Sequence, residues 1–547
     1  MSLATVRLLV VLAAPCAFCT PPGAAAQDAA RMDAVVRSYV DAKTFMGSVL
    51  VARDGNALFS KSYGSANLEW DIPNTPTTKF RLGSLTKQFT AASILLLEER
   101  GKLKTDDLVK VYMPDAPAAW GEIKIFHVLT HSSGIPNFTS FPEYAKMEPF
   151  ATPVADIVAT FRDKPLEFAP GERMNYSNSG YILLGYLIEK ISGQSYEQFV
   201  KDNIFTPLGM KDSGYDSNSA VIARRASGYT PGPGGLTNAG FVHMSIPHGA
   251  GALYSTTEDL LRWEQGLFGG KLLSAASLKK MTTPYKNDYA FGVTVQTVDG
   301  RQRIWHNGAI EGFNTSMAYY PASKVATIVL ANVNGPAPDQ MTAQLGKLGH
   351  GDAVLLTSER KELKLPRETL AAYVGTYELA PQVRIMMTLD GDQLMTQLSG
   401  QPKLPVFAET DSSFFLKIVD AQLTFEKDSR GAVAAVVLHQ NGREQRAARI
   451  SDTVAERKAV AVSSKVLERY VGSYAFRPGV DMVVTLEGDQ LMTQLGPQPK
   501  LQIFPESETA FFAKVVDAQI EFKADATGKV TALVLHQGPA NIEAPRK

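Results

Sequence analysis

Three short stretches of this 547-residue chain place reactive side chains at spacings that can do chemistry. The first is Ser84-Leu85-Thr86-Lys87, which opens the apolar run Ala91-Ala92-Ser93-Ile94-Leu95-Leu96-Leu97. On a helix, Ser84 and Lys87 stand at i, i+3 and share a face. Gly83 breaks the chain before that helix, and Ser84 suits its first turn. Burial would lower the pKa of Lys87, and a neutral amine can take the proton of a serine hydroxyl. The helix N-terminus adds donors where an oxyanion would form. The second stretch is Tyr176-Ser177-Asn178, in a loop before an apolar helix. A tyrosine beside a lysine is expected to have its pKa lowered and to pass protons to a leaving group. An amide two residues on can hold a substrate carbonyl or orient the lysine. The third is His306-Asn307-Gly308-Ala309, at the end of a strand. Glycine in an edge strand lets a substrate backbone lie close, and a free N–H at Ala309 can complete an oxyanion hole. Each stretch alone has an ordinary reading: surface polar residues, an asparagine turn, a histidine with a local hydrogen bond.

The elements that must position these residues follow from periodicity. A helix is expected over Asp28 to Asp41, then a hairpin from Gly47 to Gly64 turning at Asp54-Gly55. The Ser84 helix comes next. A mainly helical region runs to the helix through Trp263, which the Ser255–Asp259 capping box opens. Residues 227 to 250, rich in Gly and Pro, are expected to be loop. Residues 290–296, 303–305, 314–320 and 325–330 read as antiparallel strands, closed by a helix near 339–348. Strands at both ends with helices between them imply one antiparallel sheet, flanked by helices, with a helical region inserted. The fold class is therefore α+β for the first unit.

Beyond residue 351 the pattern is all β and duplicated. Tyr373-Val374-Gly375-Thr376-Tyr377 returns as Tyr470-Val471-Gly472-Ser473-Tyr474, and Gly391–Leu398 returns as Gly488–Leu495, each 97 residues later. His439 and His536 repeat at the same offset and read as structural, with a duplicated ligand site as the alternative. Two small barrel-like domains are expected. The domain reading is 1–26 export signal, 27–352 first unit, 365–450 first repeat and 463–547 second repeat.

Residues Arg7 to Ala14 and the small residues ending at Ala26 have the pattern of an export signal, cleaved after Ala26. A lipoprotein signal on Cys16 or Cys19 fits less well. Export implies a periplasmic or secreted protein. Both cysteines fall in this segment, so the mature chain has no disulfide, thiol nucleophile or cysteine metal site. Fifty-five basic residues balance fifty-five acidic ones, which offers nothing to nucleic acid or an anionic membrane. No later segment is apolar enough to span a bilayer. The oligomeric state is not legible.

S-x-x-K, then Y-x-N some ninety residues on, then H-x-G, resembles the serine β-lactamase and penicillin-recognising hydrolase superfamily. The nearest branch holds class C β-lactamases, D-alanyl-D-alanine carboxypeptidases, D-aminopeptidases and esterases. Leu129–Pro136 and Pro170–Arg173 also match it, and the repeats resemble its lipocalin-like C-terminal barrels. The resemblance implies that Ser84 is the nucleophile, Lys87 the base or relay, and Tyr176 the partner acid and base. It makes Asn178, His306, Gly308 and Ala309 substrate-binding, with the N–H groups of Ser84 and Ala309 as the oxyanion hole. No metal or cofactor is implied, and the partner is a small peptide, amide or ester. The family usually has lysine where His306 stands. A histidine is mostly neutral at pH 7, so carboxylate recognition weakens unless Arg81 or Arg173 supplies a cation. That points to D-amino-acid peptides or amides, with a carboxylesterase or weak β-lactamase as the alternative. A binding or sensing protein for penicillin or peptidoglycan fragments is the alternative of another class. A loop of the first barrel is expected to narrow the mouth of the site.

Overall fold

The structure, a computed structural model, describes residues 22–547 apart from 233, 382, 441–442, 455–456, 478–479, 497 and 539. The expected export signal lies outside the described residues as far as residue 21. Helix α1, Pro22–Asp41, starts inside the stretch assigned to that signal.

The first unit is built on a six-stranded antiparallel sheet. Its first hairpin is β1, Gly47–Arg53, and β2, Asn56–Tyr63. Asp54 and Gly55 both have positive φ (49° and 78°), the backbone of a tight hairpin turn. Helix α2, Thr86–Glu99, follows the Ser84 turn, and α3, Asn178–Ser192, follows the Tyr176 loop. Helix α4, Thr257–Phe268, is capped by Thr256, whose hydroxyl accepts from Asp259 N. Four strands complete the sheet: β3, Thr294–Val298; β4, Arg301–Ile310; β5, Phe313–Tyr320; and β6, Val325–Ala331. Helix α5, Ala337–Gly349, ends the unit. The strand order is β3-β4-β5-β6-β1-β2, so β6 from late in the chain pairs β1 from its start, with Val49 opposite Val329.

Alternation sorts the two faces of the sheet. Val49, Val51 and Val329 pack under α1 and α5 with Met32, Val36 and Leu345. Leu50, Ala52, Ile328 and Leu330 join the larger core of the helical region. Helix α2 is buried from Thr86 to Leu97, its polar residues Lys87, Gln88, Thr90 and Ser93 included, as befits a helix inside a core. The stretch expected to be loop, 227–250, holds a hairpin, Tyr229–Gly232 with Gly235–Asn238, and leads into a short helix at His248–Gly251.

One feature of register positions the site. Strand β3 pairs β4 only as far as Trp305. From His306 to Ile310, β4 has a neighbour on one side alone, β5. This free edge faces the turn that carries Ser84.

The two repeats are nearly closed antiparallel sheets of nine and eight strands. In the first, strand ends 404–405 and 407–408 are separated by Val406 alone. In the second, a bridge between Tyr474 and Arg546 returns the last strand to the first. The duplication extends to side chains. Tyr377 Oη donates to Tyr373 O and Tyr474 Oη to Tyr470 O, both at 2.8 Å. His439 and His536 are held by local polar partners, Thr424 and Asn541. The first barrel meets the first unit through α5, where Gln344 Nε2 donates to Asp420 at 2.6 Å.

Candidate active site

Gly83 takes φ +54°, and a Cβ on it would lie 2.9 Å from Ala309 N. Glycine is therefore required both by the backbone and by the close approach of β4. The turn Gly83–Leu85 leads straight into α2 and presents Ser84 at its N-terminus.

Lys87 sits one turn on and is fully buried. Its Nζ lies 2.9 Å from Ser84 Oγ, 3.0 Å from Asn178 Oδ1 and 2.8 Å from the carbonyl of Ala250. Burial holds its pKa well below the usual lysine range. As an ammonium it has three hydrogens for three acceptors. As a neutral amine it keeps Asn178 and Ala250 and turns its lone pair to the Ser84 hydroxyl. Asn178 opens α3, and its own N–H donates to Asn137 Oδ1 at 3.0 Å.

Tyr176 Oη donates to Ser84 Oγ at 2.9 Å. The lowered pKa expected for it is not found. Lys87 Nζ lies over its ring, 4.9 Å from the centroid, and burial pushes the phenol upward. Desolvation outweighs the hydrogen bond to Ser84, so Tyr176 is a proton donor at neutral pH.

His131, missed as a site residue, supports this arrangement. It is buried, takes φ +53°, stacks 4.3 Å from Tyr176 and accepts from Ser177 N through Nδ1. Its place in the Leu129–Pro136 stretch was the only sequence signal.

The structure brings Ser84, Lys87, Tyr176 and Asn178 together, and sets Ala309 beside Gly83. His306 lies elsewhere. Its ring is buried, Nε2 meets Tyr289 Oη at 3.1 Å, and Nδ1 donates to Asn307 O. Burial and the nearby Lys87 lower its pKa to about 4, so it is neutral. It stands behind Tyr176, 6.4 Å between ring centres. Gly308 also plays a different part from the one expected. A Cβ there would meet Leu82 O at 2.0 Å and Ser84 N at 3.0 Å, so the close approach is that of the Ser84 turn itself.

A cavity of about 110 Å³ opens beside Ser84. Phe138, Ile182, Val242 and Ile246 make its apolar wall, and Asn178, Ala309 and Glu311 border it. It is smaller than the roughly 150 Å³ apolar cavity that holds benzene. Its lining falls between residues 83 and 311, so no barrel residue among those described narrows it. The first barrel docks on α5 instead.

No lysine or arginine is among the described residues that line the cavity. Arg173 stacks on Phe168, 4.6 Å to the ring centre. Arg81 donates to Asp216 at 2.6 Å, and Arg225 reaches the other oxygen of the same carboxylate at 2.5 Å. Asp216 is fully buried. Asp216→Ala would strand two cations and destabilise the fold by about 3–5 kcal/mol. Urea unfolding followed by tryptophan fluorescence checks this, and an unchanged midpoint refutes it. The cavity carries an acid instead. Glu311 borders it, and Glu148 next to Glu311 has its carboxyl pushed up to about 7 by burial first and by Glu311 second.

A serine and a buried lysine on a helix-opening turn, between the free edge of an antiparallel sheet and an inserted helical region, make the arrangement of the β-lactamase fold. The chain belongs to the beta-lactamase family, whose pattern it matches over residues 32–350. Residues 359–449 and 456–544 each match a domain of unknown function, DUF3471. Among relatives, it is 30% identical to Penicillin-binding protein 4* of Bacillus subtilis over 434 residues, 74% of this chain and 95% of that protein. Among solved structures, the octameric penicillin-binding protein homologue from Pyrococcus abyssi superposes with a TM-score of 0.55 at 26% identity, covering 76% of this chain and 99% of that one. The D-amino acid amidase from Ochrobactrum anthropi SV3 complexed with D-phenylalanine shares the fold, with a TM-score of 0.54 at 23% identity, covering 59% and 99%. Among the described residues, no helix is long and apolar enough to cross a membrane.

Proposed function

We propose that the protein is an exported serine hydrolase that forms an acyl-enzyme at Ser84 with amides or esters of small amino acids bearing a free amine, D-amino-acid amides and short peptides first. The observation that carries the chemistry is the buried Lys87, whose Nζ is 2.9 Å from Ser84 Oγ. Ser84 Oγ attacks the carbonyl carbon while its proton passes to Lys87. The carbonyl oxygen, now an anion, meets the N–H groups of Ser84 and Ala309. Tyr176 gives its proton to the leaving nitrogen or oxygen and regains one from Lys87. Water then attacks the ester on Ser84 by the reverse route, and Ser84 recovers its proton. The export segment, with Arg7 before its apolar run, favours a periplasmic or secreted enzyme.

The free amine follows from the charge around the cavity. A substrate carboxylate finds no cation there, whereas an ammonium finds Glu311. Glu311→Gln should lower kcat/KM for D-alanine p-nitroanilide about tenfold or more, through KM, and leave p-nitrophenyl acetate within twofold. The preference should also depend on pH. Glu148 keeps its proton below about pH 7 and ionises above it, which adds a second negative charge at this side of the cavity. KM for the cationic anilide therefore falls as pH rises through 7, until the substrate amine itself deprotonates. Equal losses on both substrates would assign Glu311 a structural role. The carboxylesterase reading also fits a cavity without a cation. It prevails if the neutral ester alone is turned over.

A further inference from the structure

The second barrel is filled at one end and hollow at the other. Tyr470, Phe511 and Phe522 pack the filled end, with Tyr470 and Phe522 stacked at 4.3 Å and Phe511 5.5 Å from Phe522. At the opposite end lies a cavity of about 310 Å³. Met482, Leu495, Ile503, Ala513, Ile520 and Leu535 form its walls. Its polar lining is neutral: Thr493, and the carboxamides of Gln401, Gln498 and Gln537. No charged side chain is among the described residues that line it.

The first barrel supplies a lid. Gly400-Gln401-Pro402 lies over this mouth, tied by Gly400 N to Asp517 at 3.2 Å and by Gln537 Nε2 to Gly400 O at 2.8 Å. Pro402 bridges to Val516.

The duplication shows what hollows the second barrel. Ninety-seven residues earlier, the wall positions are Ile385, Leu398, Val406, Leu416, Leu423 and Leu438. Five of the six pairs are close in volume. The exception is Leu416, a buried member of the first barrel's core, where the second barrel has Ala513. Leucine to alanine in a packed core leaves a void. Here the void sits under a lid and beside three carboxamides.

We propose that the mouth of the second barrel is a binding site for a small uncharged hydrophobic molecule with one hydrogen-bonding group at its outer end, such as a medium-chain alcohol or ester. The volume is about twice that of the roughly 150 Å³ apolar cavity that holds benzene, which allows about a dozen heavy atoms. Apolar walls with a few neutral polar groups suit such a ligand, and a carboxylate would lose its hydration with no cation to replace it. This site is independent of the reaction at Ser84.

The test uses full-length protein and the smaller neutral fluorescent probe 1-naphthylamine. Saturable fluorescence enhancement with one probe per chain is expected, displaced by decanol and at least tenfold less well by decanoate at pH 8. Ala513→Leu, which restores the first barrel's residue, should weaken probe binding at least tenfold with an unchanged melting temperature. Ile503→Phe fills the same space from another strand and should act likewise, which covers the case in which the first variant does not fold. Probe affinity unchanged in a folded variant overturns the proposal, as does displacement by decanoate equal to that by decanol.

Discussion

Lys87→Met abolishes acylation of Ser84, with a rate of labelling by a fluorophosphonate at least about 10³-fold below that of the natural protein, the scale of losing a general base. The protein stays folded, because methionine follows the same buried path as the aliphatic stem of Lys87, and only the hydrogen bonds to Ser84, Asn178 and the Ala250 carbonyl are lost. Circular dichroism and the melting temperature check this second part. Lys87→Arg separates a base from a mere cation. Arginine keeps the charge and never gives it up at working pH. If Lys87 acts by taking the Ser84 proton, arginine is as inactive as methionine. If it acts by its charge, arginine retains a substantial fraction of the rate, and more than a few per cent sinks the base assignment. The pH profile gives an independent reading. Burial lowers the pKa of Lys87, so the neutral amine is the folded state's favoured form from well below 10.5 upward. Acylation should rise with pH as Lys87 loses its proton, along a limb well below the usual lysine range. In Lys87→Met that limb disappears.

How much of this was legible in the chain depends on the kind of group. Ser84 and Lys87 were readable because helix geometry fixes the relation of residues three apart. The hairpin at Asp54-Gly55, the sheet closed by strands from both ends, and the duplicated barrels were readable from period and repeat. Ala250 was not, because it acts through a backbone carbonyl and any residue would supply one. Glu148 was not, because only the fold brings it to Glu311 from 163 positions away. Tyr176 was placed beside Lys87, where the structure has it, yet the sign of its shift was wrong. Sequence tells which charges are near in a motif but not how much water a group loses, and at Tyr176 burial decides. The same blindness affected His306. Its type suggested contact with substrate, whereas the fold turns the ring inward against Tyr289. The barrel loop expected at the site was misplaced because docking between units depends on surfaces, here α5 and Asp420, that no motif marks.

Gly308→Ala carries the largest expected effect away from the reacting side chains. Its Cβ would lie 2.0 Å from Leu82 O, 2.5 Å from Thr315 Oγ1 and 3.0 Å from Ser84 N. Two of these are atoms of the backbone that holds the nucleophile, so the strain cannot be relieved by turning a side chain. Thr315 Oγ1 already donates to Leu82 O at 2.8 Å, which fixes the third neighbour as well. Strand β4 must therefore retreat from the Ser84 turn. On the Ser84 side no paired strand holds its edge in place from His306 onward. The retreat carries Ala309 N away from Ser84 N, and the two donors no longer converge on one oxygen. Loss of one such donor costs about 10²–10³-fold in kcat. Because the oxyanion forms only in the transition state, KM for a neutral ester should stay within about threefold. Overpacking should also cost about 1–3 kcal/mol of stability. Thr315→Val is the control: it removes the hydrogen bond to Leu82 without adding bulk against Ser84 N, and should lower kcat far less. A Gly308→Ala enzyme with kcat within threefold of the natural protein would show that β4 does not supply the second donor.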